Sequence, residues 1–215
     1  LINAGGAAFQ GIRQDRALFV WGAGTNGQIG DGFAQSRSSP VQIGTSSWTI
    51  AGGGTSFTAA IRTDGALFTW GRNQYGELGA GSTIARSSPV QVGTSSWTAI
   101  GYCFASLFAI RGDQTLWATG QNNNGQLGQN NTTNISSLAQ IGTGSWSLLA
   151  TEKSNAQGSM LGTLADYTLY AWGWNSNGQL GDSTIVSRSS PVQIGTAATL
   201  QVPVASPVQL GASDM

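Results

Sequence analysis

The 215-residue sequence predicts an all-β protein, a β-propeller of about four four-stranded blades. Two observations carry this expectation: several motifs recur in phase at one long period, and no stretch shows helical periodicity. Trp21-Gly22 returns as Trp70-Gly71, Thr119-Gly120 and Trp172-Gly173, in steps of 49, 49 and 53 residues. Asn26-Gly27-Gln28-Ile29-Gly30 returns at 75–79, 124–128 and 177–181. Ser38-Ser39-Pro40-Val41-Gln42-Ile43-Gly44 returns at 87–93, 136–142 and 189–195. The longer third step places a four-residue insertion between Trp146 and Thr168.

Each unit reads as short strands separated by turns. Ala17-Leu18-Phe19-Val20-Trp21 and Phe57-Thr58-Ala59-Ala60-Ile61-Arg62 are rich in β-formers. Thr63-Asp64-Gly65 is a hairpin turn signal, and Asp15, Asp113 and Asp166 hold the same turn position. Pro40-Val41-Gln42-Ile43 and Trp48-Thr49-Ile50-Ala51 supply two more strands. Four strands in about fifty residues make one propeller blade. Repeats occupy 1–195, with a partial blade at 1–16 and units near 17–65, 66–114, 115–167 and 168–195. Residues 196–215 read as a degenerate repeat or linker, because Ser206-Pro207-Val208-Gln209-Leu210-Gly211 brings the proline motif back too early. In-phase equivalence places Trp48, Trp97 and Trp146 at matching sites, and likewise Leu18, Leu67, Leu116 and Leu169, facing the interior between sheets.

These motifs, L-F-x-W-G-x-N-x-x-G-Q-L-G, S-S-P-V-Q-I-G, S-S-W-T and A-I-R-T-D-G-A-L, resemble the repeat of the regulator of chromosome condensation family. The resemblance covers Ile2 to Gly195 and implies a sector of a seven-bladed ring. Phe57 stands where the family often has His, and the chain has no His at all. WD-repeat and kelch signatures are absent. Near-identical units with little lysine resemble bacterial and phage members, which implies a viral or secreted source. The opening residues, without Met, read as the middle of a domain.

Composition narrows the function. Nine basic and nine acidic residues give a net charge of +0, and Lys153 is the single lysine. Nucleic-acid binding needs clustered Lys and Arg to displace phosphate counterions, so no nucleic-acid partner is expected. No apolar run reaches the length of a membrane span, so no membrane insertion is expected either. Without His the commonest general base and metal ligand is missing. Cys103 is alone and has no His to activate it. Asp15, Asp64, Asp113 and Asp166 recur with the turn, and Arg13, Arg62 and Arg111 recur beside them, which marks scaffold rather than site. The tract 121–134 has no carboxylate to make a calcium loop. Its Asn130, Asn131 and Asn134 open N-x-S/T triplets, which matter only in a eukaryotic secretory pathway. No catalytic residue, metal site or cofactor is expected.

The remaining expectation is a non-catalytic binding or structural module on a virion or a secreted or cell surface, outside the nucleus. Its partner would be a protein or surface receptor, with self-assembly as a further mode. The alternatives are an enzyme inhibitor like the propeller that plugs β-lactamases and, ranked lower, the GTPase exchange factor familiar from the family's founder. Residues that break the repeat are the candidate anchors, since aromatic side chains and Arg dominate binding energy. They are Trp174, Tyr75, Phe33, Tyr102, Phe104 and Arg72.

Overall fold

A computed structural model describes residues 2–4, 8–150 and 158–195. Among them every regular element is a strand. The first sheet holds β1 (Ile2–Ala4), β2 (Ala8–Ile12), β3 (Leu18–Gly22) and β4 (Arg37–Gln42). The second holds β5 (Trp48–Gly52), β6 (Phe57–Arg62), β7 (Leu67–Gly71) and β8 (Arg86–Gln91). The third holds β9 (Trp97–Cys103), β10 (Ser106–Arg111), β11 (Leu116–Gly120) and β12 (Ile135–Ile141). The fourth holds β13 (Trp146–Leu149), β14 (Ser159–Leu164), β15 (Leu169–Gly173) and β16 (Arg188–Gln193). Each is an antiparallel meander in chain order, so the described residues form four blades of a propeller, a sector rather than a full ring. Each repeat unit of the sequence spans two sheets: residues 17–65 give β3 and β4 to one blade and β5 and β6 to the next.

The core lies between blades. Trp48, Trp97 and Trp146 open the first strands of successive blades and are 3%, 5% and 4% exposed. Each meets an aromatic ring of its own blade's third strand at a steep angle: Phe68 at 5.4 Å, Trp117 at 6.4 Å and Tyr170 at 5.7 Å. Leu18, Leu67 and Leu116 are fully buried. Leu169, expected to match them, is only half-buried, because no described blade follows the fourth. The insertion between Trp146 and Thr168 falls partly on 151–157, and the degenerate repeat on 196–215. Both stretches lie outside the described residues.

Consecutive blades are joined by one repeated device. The glycine turn after the third strand of one blade clasps the fourth strand of the next. A Cβ on Gly27 would lie 2.8 Å from Ser87 Cα, on Gly76 2.3 Å from Ser136 Cα, and on Gly125 2.5 Å from Ser189 Cα. Only glycine permits that approach, and all three have positive φ. Gly32, Gly81 and Asn130 then donate backbone N–H bonds of 2.9, 2.8 and 2.7 Å to the carbonyls of Ser87, Ser136 and Ser189. From the other side, the indole of Trp70 donates to Gln28 O at 3.0 Å, and Trp172 to Gln126 O at 2.8 Å. Thr119, which replaces Trp in the third blade, donates its hydroxyl to Gly76 O at 2.8 Å.

The hairpin turns at the opposite end carry the recurring Arg–Asp pairs. Arg62 pairs with Asp64, Arg13 with Asp15 and Arg111 with Asp113, and each guanidinium covers an aromatic ring at 5.1–5.3 Å. Each Asp also caps its turn by accepting a backbone N–H two residues on. The bond from Arg62, then that from Ala66 N–H, hold Asp64 down to about 2, and Arg13 with Ala17 N–H does the same for Asp15. Arg111 and Thr115 lower Asp113 as well. A carboxylate depressed on folding stabilises fully above its unfolded value of about 4, and the contribution is lost as pH falls towards 2. An NMR titration of the Asp64 carboxyl is therefore expected to find its midpoint near 2. Arg62→Ala should return it towards about 3.9. A midpoint unmoved by that substitution would refute the pairing.

Candidate partner-binding site on the loop face

The connections from third to fourth strand, 23–36, 72–85, 121–134 and 174–187, leave the blades at one end. The short turns from first to second strand, such as 53–56 and 104–105, emerge at the same end. In three blades a fully buried Asn braces the long loop. Asn73 donates to Ser82 O and Ile84 O at 2.8 and 3.0 Å, and accepts from Leu78 N at 3.0 Å. Asn122 and Asn175 make the same bonds to 131, 133 and 127, and to 184, 186 and 180. In the first blade Gly24 takes this place, and its Cβ would collide with Gln35 O. A second brace is the in-phase glutamine: Gln28, Gln126 and Gln179 accept the N–H two residues before them.

The second blade departs from this scheme, and three candidate residues meet there. Glu77 replaces the glutamine and is wholly buried. One of its oxygens accepts Tyr75 N–H at 2.7 Å, the bond the glutamines make. The other accepts Arg72 Nε at 3.0 Å. The Arg72 guanidinium then lies 5.4 Å from the Tyr75 ring and 5.5 Å from the Phe104 ring. Phe104 sits in the turn between β9 and β10 with a positive φ of 33°, and its carbonyl accepts Thr55 N–H of the second blade. Arg72, Tyr75 and Phe104 are each partly exposed. The result is a cation held between two rings and anchored below by a buried carboxylate, across the seam of two blades.

The other candidates divide. Trp174 occupies the position of Arg72 in the fourth blade and is partly exposed. Phe33, 57% exposed, lies in the first long loop under the Arg37 guanidinium, which pairs with Asp31. It lines a groove of about 720 Å³ with Val41, Trp48 and Pro89 on the flank between the first two blades. Tyr102 is not a surface anchor. It breaks the repeat where other units have glycine, but β9 runs through Cys103, Tyr102 pairs with Leu107, and its ring is fully buried in the core. Cys103 is buried beside it. The sequence marks Arg72 as a candidate but not the Glu77 that anchors it. The signal was present: the unit with Glu in place of Gln is the unit with Arg five residues earlier.

Among the described residues no three His, Cys, Asp or Glu side chains gather to hold a metal ion. Among the described residues there is no helix long and apolar enough to cross a membrane.

A model described as the regulator of chromosome condensation (RCC1) repeat matches residues 16–61, 64–101 and 168–213, and a second RCC1 repeat model matches 49–77. The chain belongs to the RCC1 repeat family. No curated protein matches it. Among solved structures, Prp20p of Saccharomyces cerevisiae, described with its binding to Gsp1p and histones, superposes with a TM-score of 0.80 at 15% identity. The match covers 93% of this chain and 51% of that one. The same yeast protein with Kap60 bound gives 0.77 at 16%, covering 93% and 49%. Human WBSCR16 gives 0.76 at 17%, covering 90% and 51%. At these identities the likeness is one of fold. The RCC1-repeat chain spans about half the length of each.

These findings correct the expected source and setting. The structures that superpose with TM-scores of 0.76–0.80 are human and yeast, not bacterial or phage, so the viral reading falls. The virion or extracellular location falls with it. So does the exclusion from the nucleus, which rested on scarce lysine, since a relative of this fold is described binding histones.

Proposed function

We propose that the chain is a non-catalytic protein-binding part of an exchange-factor type propeller, taking its partner on the loop face around Arg72, Tyr75 and Phe104. The observation that carries the reading is the guanidinium fixed between two partly exposed rings and tied to buried Glu77. Arg and aromatic side chains prepositioned in this way are the usual centres of protein interfaces. Nucleotide exchange needs no reacting side chain, only a partner held in a shape that releases its nucleotide, so the lack of an acid–base constellation fits. The relative described with Gsp1p supports a partner of that kind over a surface receptor or a secreted enzyme. Nucleic acid is a poor partner: of eight arginines six are ion-paired with Asp or Glu, and no lysine stripe tracks phosphates.

The test uses Gsp1p as probe, with binding by interferometry and release of a fluorescent guanine nucleotide as the second readout. Tyr75→Ala with Phe104→Ala is expected to weaken binding by roughly 30-fold or more, while Arg72–Glu77 and the thermal midpoint are kept. Trp174→Ala, in the same class of loop, is expected to have a smaller effect. Unchanged affinity in the double variant would remove this site. Loss of folding would make both rings core residues.

A further inference from the structure

Three indole N–H groups are buried in the blade seams without an acceptor. Trp48, Trp97 and Trp146 are nearly wholly buried, and among the described residues the Nε1 of each has no hydrogen-bond partner. Trp70, Trp117 and Trp172, by contrast, each donate to an oxygen of the protein. A buried donor left unmet costs free energy that a bound acceptor recovers. Each of the three rings lines a groove on the flank between two blades, of about 720 Å³ in the first seam and about 190 and 220 Å³ in the second and third. In the second seam Ala80 forms a β-bridge with Ser137 across the blades. Asp31 replaces Ala80 in the first seam and turns its carboxylate to Arg37, and there the groove reaches as far as Phe33.

We propose that the first seam binds an extended, proline-rich segment of a partner protein, one of whose carbonyls accepts the Trp48 Nε1–H. Shape sets the first requirement. Arg37, Ser39, Val41 and Ile43, alternate residues along β4 and its continuation, line one wall, and Pro89 of β8 lines the other. From Arg37 to Ile43 an extended chain rises about 20 Å, and six residues of polyproline II span about 19 Å. Polarity sets the second. Asp31 and Arg37 are spent on each other, and the Gln42 amide donates to Gly44 O. The groove therefore keeps one unmet donor and, among the described residues, no buried side-chain acceptor without a partner. A ligand with an N–H at every residue would bury donors that nothing meets, whereas proline brings the carbonyl and lacks the N–H. An oligosaccharide would need partners for a run of hydroxyls that these walls do not supply. Phe33, 57% exposed, adds an aromatic ring at one end of the groove. Aromatic-lined grooves recognise proline-rich segments because such segments lose little entropy on binding. The site shares no residue with the loop-face cluster of Arg72, Tyr75 and Phe104.

Acetyl-hexaproline amide is the probe, titrated into isotope-labelled protein while the indole N–H resonances are followed by NMR. The Trp48 signal, assigned by its loss in Trp48→Phe, is expected to move downfield and to exchange more slowly with water as peptide is added, saturating at millimolar concentration or below. Trp48→Phe removes the donor and keeps most of the apolar ring, and it should weaken the peptide roughly tenfold. Trp97→Phe makes the same change at the equivalent buried place in the second seam and should leave the affinity unchanged, which separates a binding role from a packing one. Phe33→Ser, at an exposed position where the second unit already has Ser82, should weaken binding by a similar factor with the thermal midpoint kept. The proposal is overturned if no indole signal responds, which is the result expected when ordered water alone meets the Trp48 N–H. It is equally overturned if Trp48→Phe and Trp97→Phe weaken the peptide alike, or if cellohexaose moves the Trp48 signal and hexaproline does not.

Discussion

Trp70→Ala is expected to destabilise the folded sector by about 3–5 kcal/mol in urea denaturation. The ring is fully buried between the first two blades, 6.2 Å from Trp48 and pressed under Gly30, so truncation opens a cavity that two sheets border. The lost hydrogen bond is the smaller part. Gln28 O also accepts the Thr58 hydroxyl at 2.8 Å, so removing the indole donor does not leave that carbonyl unpaired. Trp70→Phe, which keeps most of the apolar volume, should therefore cost far less than Trp70→Ala. Trp21→Ala supplies the control. The same residue at the same place in the repeat, only partly buried in the first blade, should cost about 1 kcal/mol. Equal losses at 21 and 70 would mean that the joint adds nothing beyond the blade's own packing.

The contrast between Trp21 and Trp70 also shows what the sequence allowed to be read. The period, the strand runs and the Trp and Leu positions follow from patterning, because each unit puts the same residue type at the same place in its blade, although inner strands such as β6 and β10 are buried on both faces rather than one. Three of the four equivalent leucines are buried as expected. The fourth is half-buried because burial belongs to the neighbour as much as to the residue. The same limit explains Tyr102. Substituting aromatic residues for a glycine cluster looks like a modified turn, but in the fold it extends β9 and drives the ring inward. In the loops, anomalous aromatic residues could be picked out by comparison between units, while what holds them could not. The bracing role of Asn73, Asn122 and Asn175 depends on carbonyls nine to eleven residues away.

Arg72→Gln is expected to be among the most disruptive single changes on the loop face, and the reason is Glu77 rather than Arg72 itself. The carboxylate is wholly buried and has two described partners, the Tyr75 N–H and the Arg72 guanidinium. Removing the cation leaves a buried charge with one backbone donor, a loss of about 3 kcal/mol. Glu77→Gln alone should cost little, because Gln28, Gln126 and Gln179 already accept the same backbone N–H in the other blades. The decisive variant carries both changes. Gln at 72 and at 77 recreates the third unit, which has Gln121 and Gln126 in these places. The double variant should recover stability to within about 1 kcal/mol of the parent. A double-mutant cycle measured by urea denaturation reads the coupling directly. If Arg72→Gln is as mild in the parent as in the Glu77→Gln background, the guanidinium does not stabilise Glu77. If the double variant is stable yet binds Gsp1p weakly, Arg72 serves the partner and not only the fold, and Glu77 is the group that positions it.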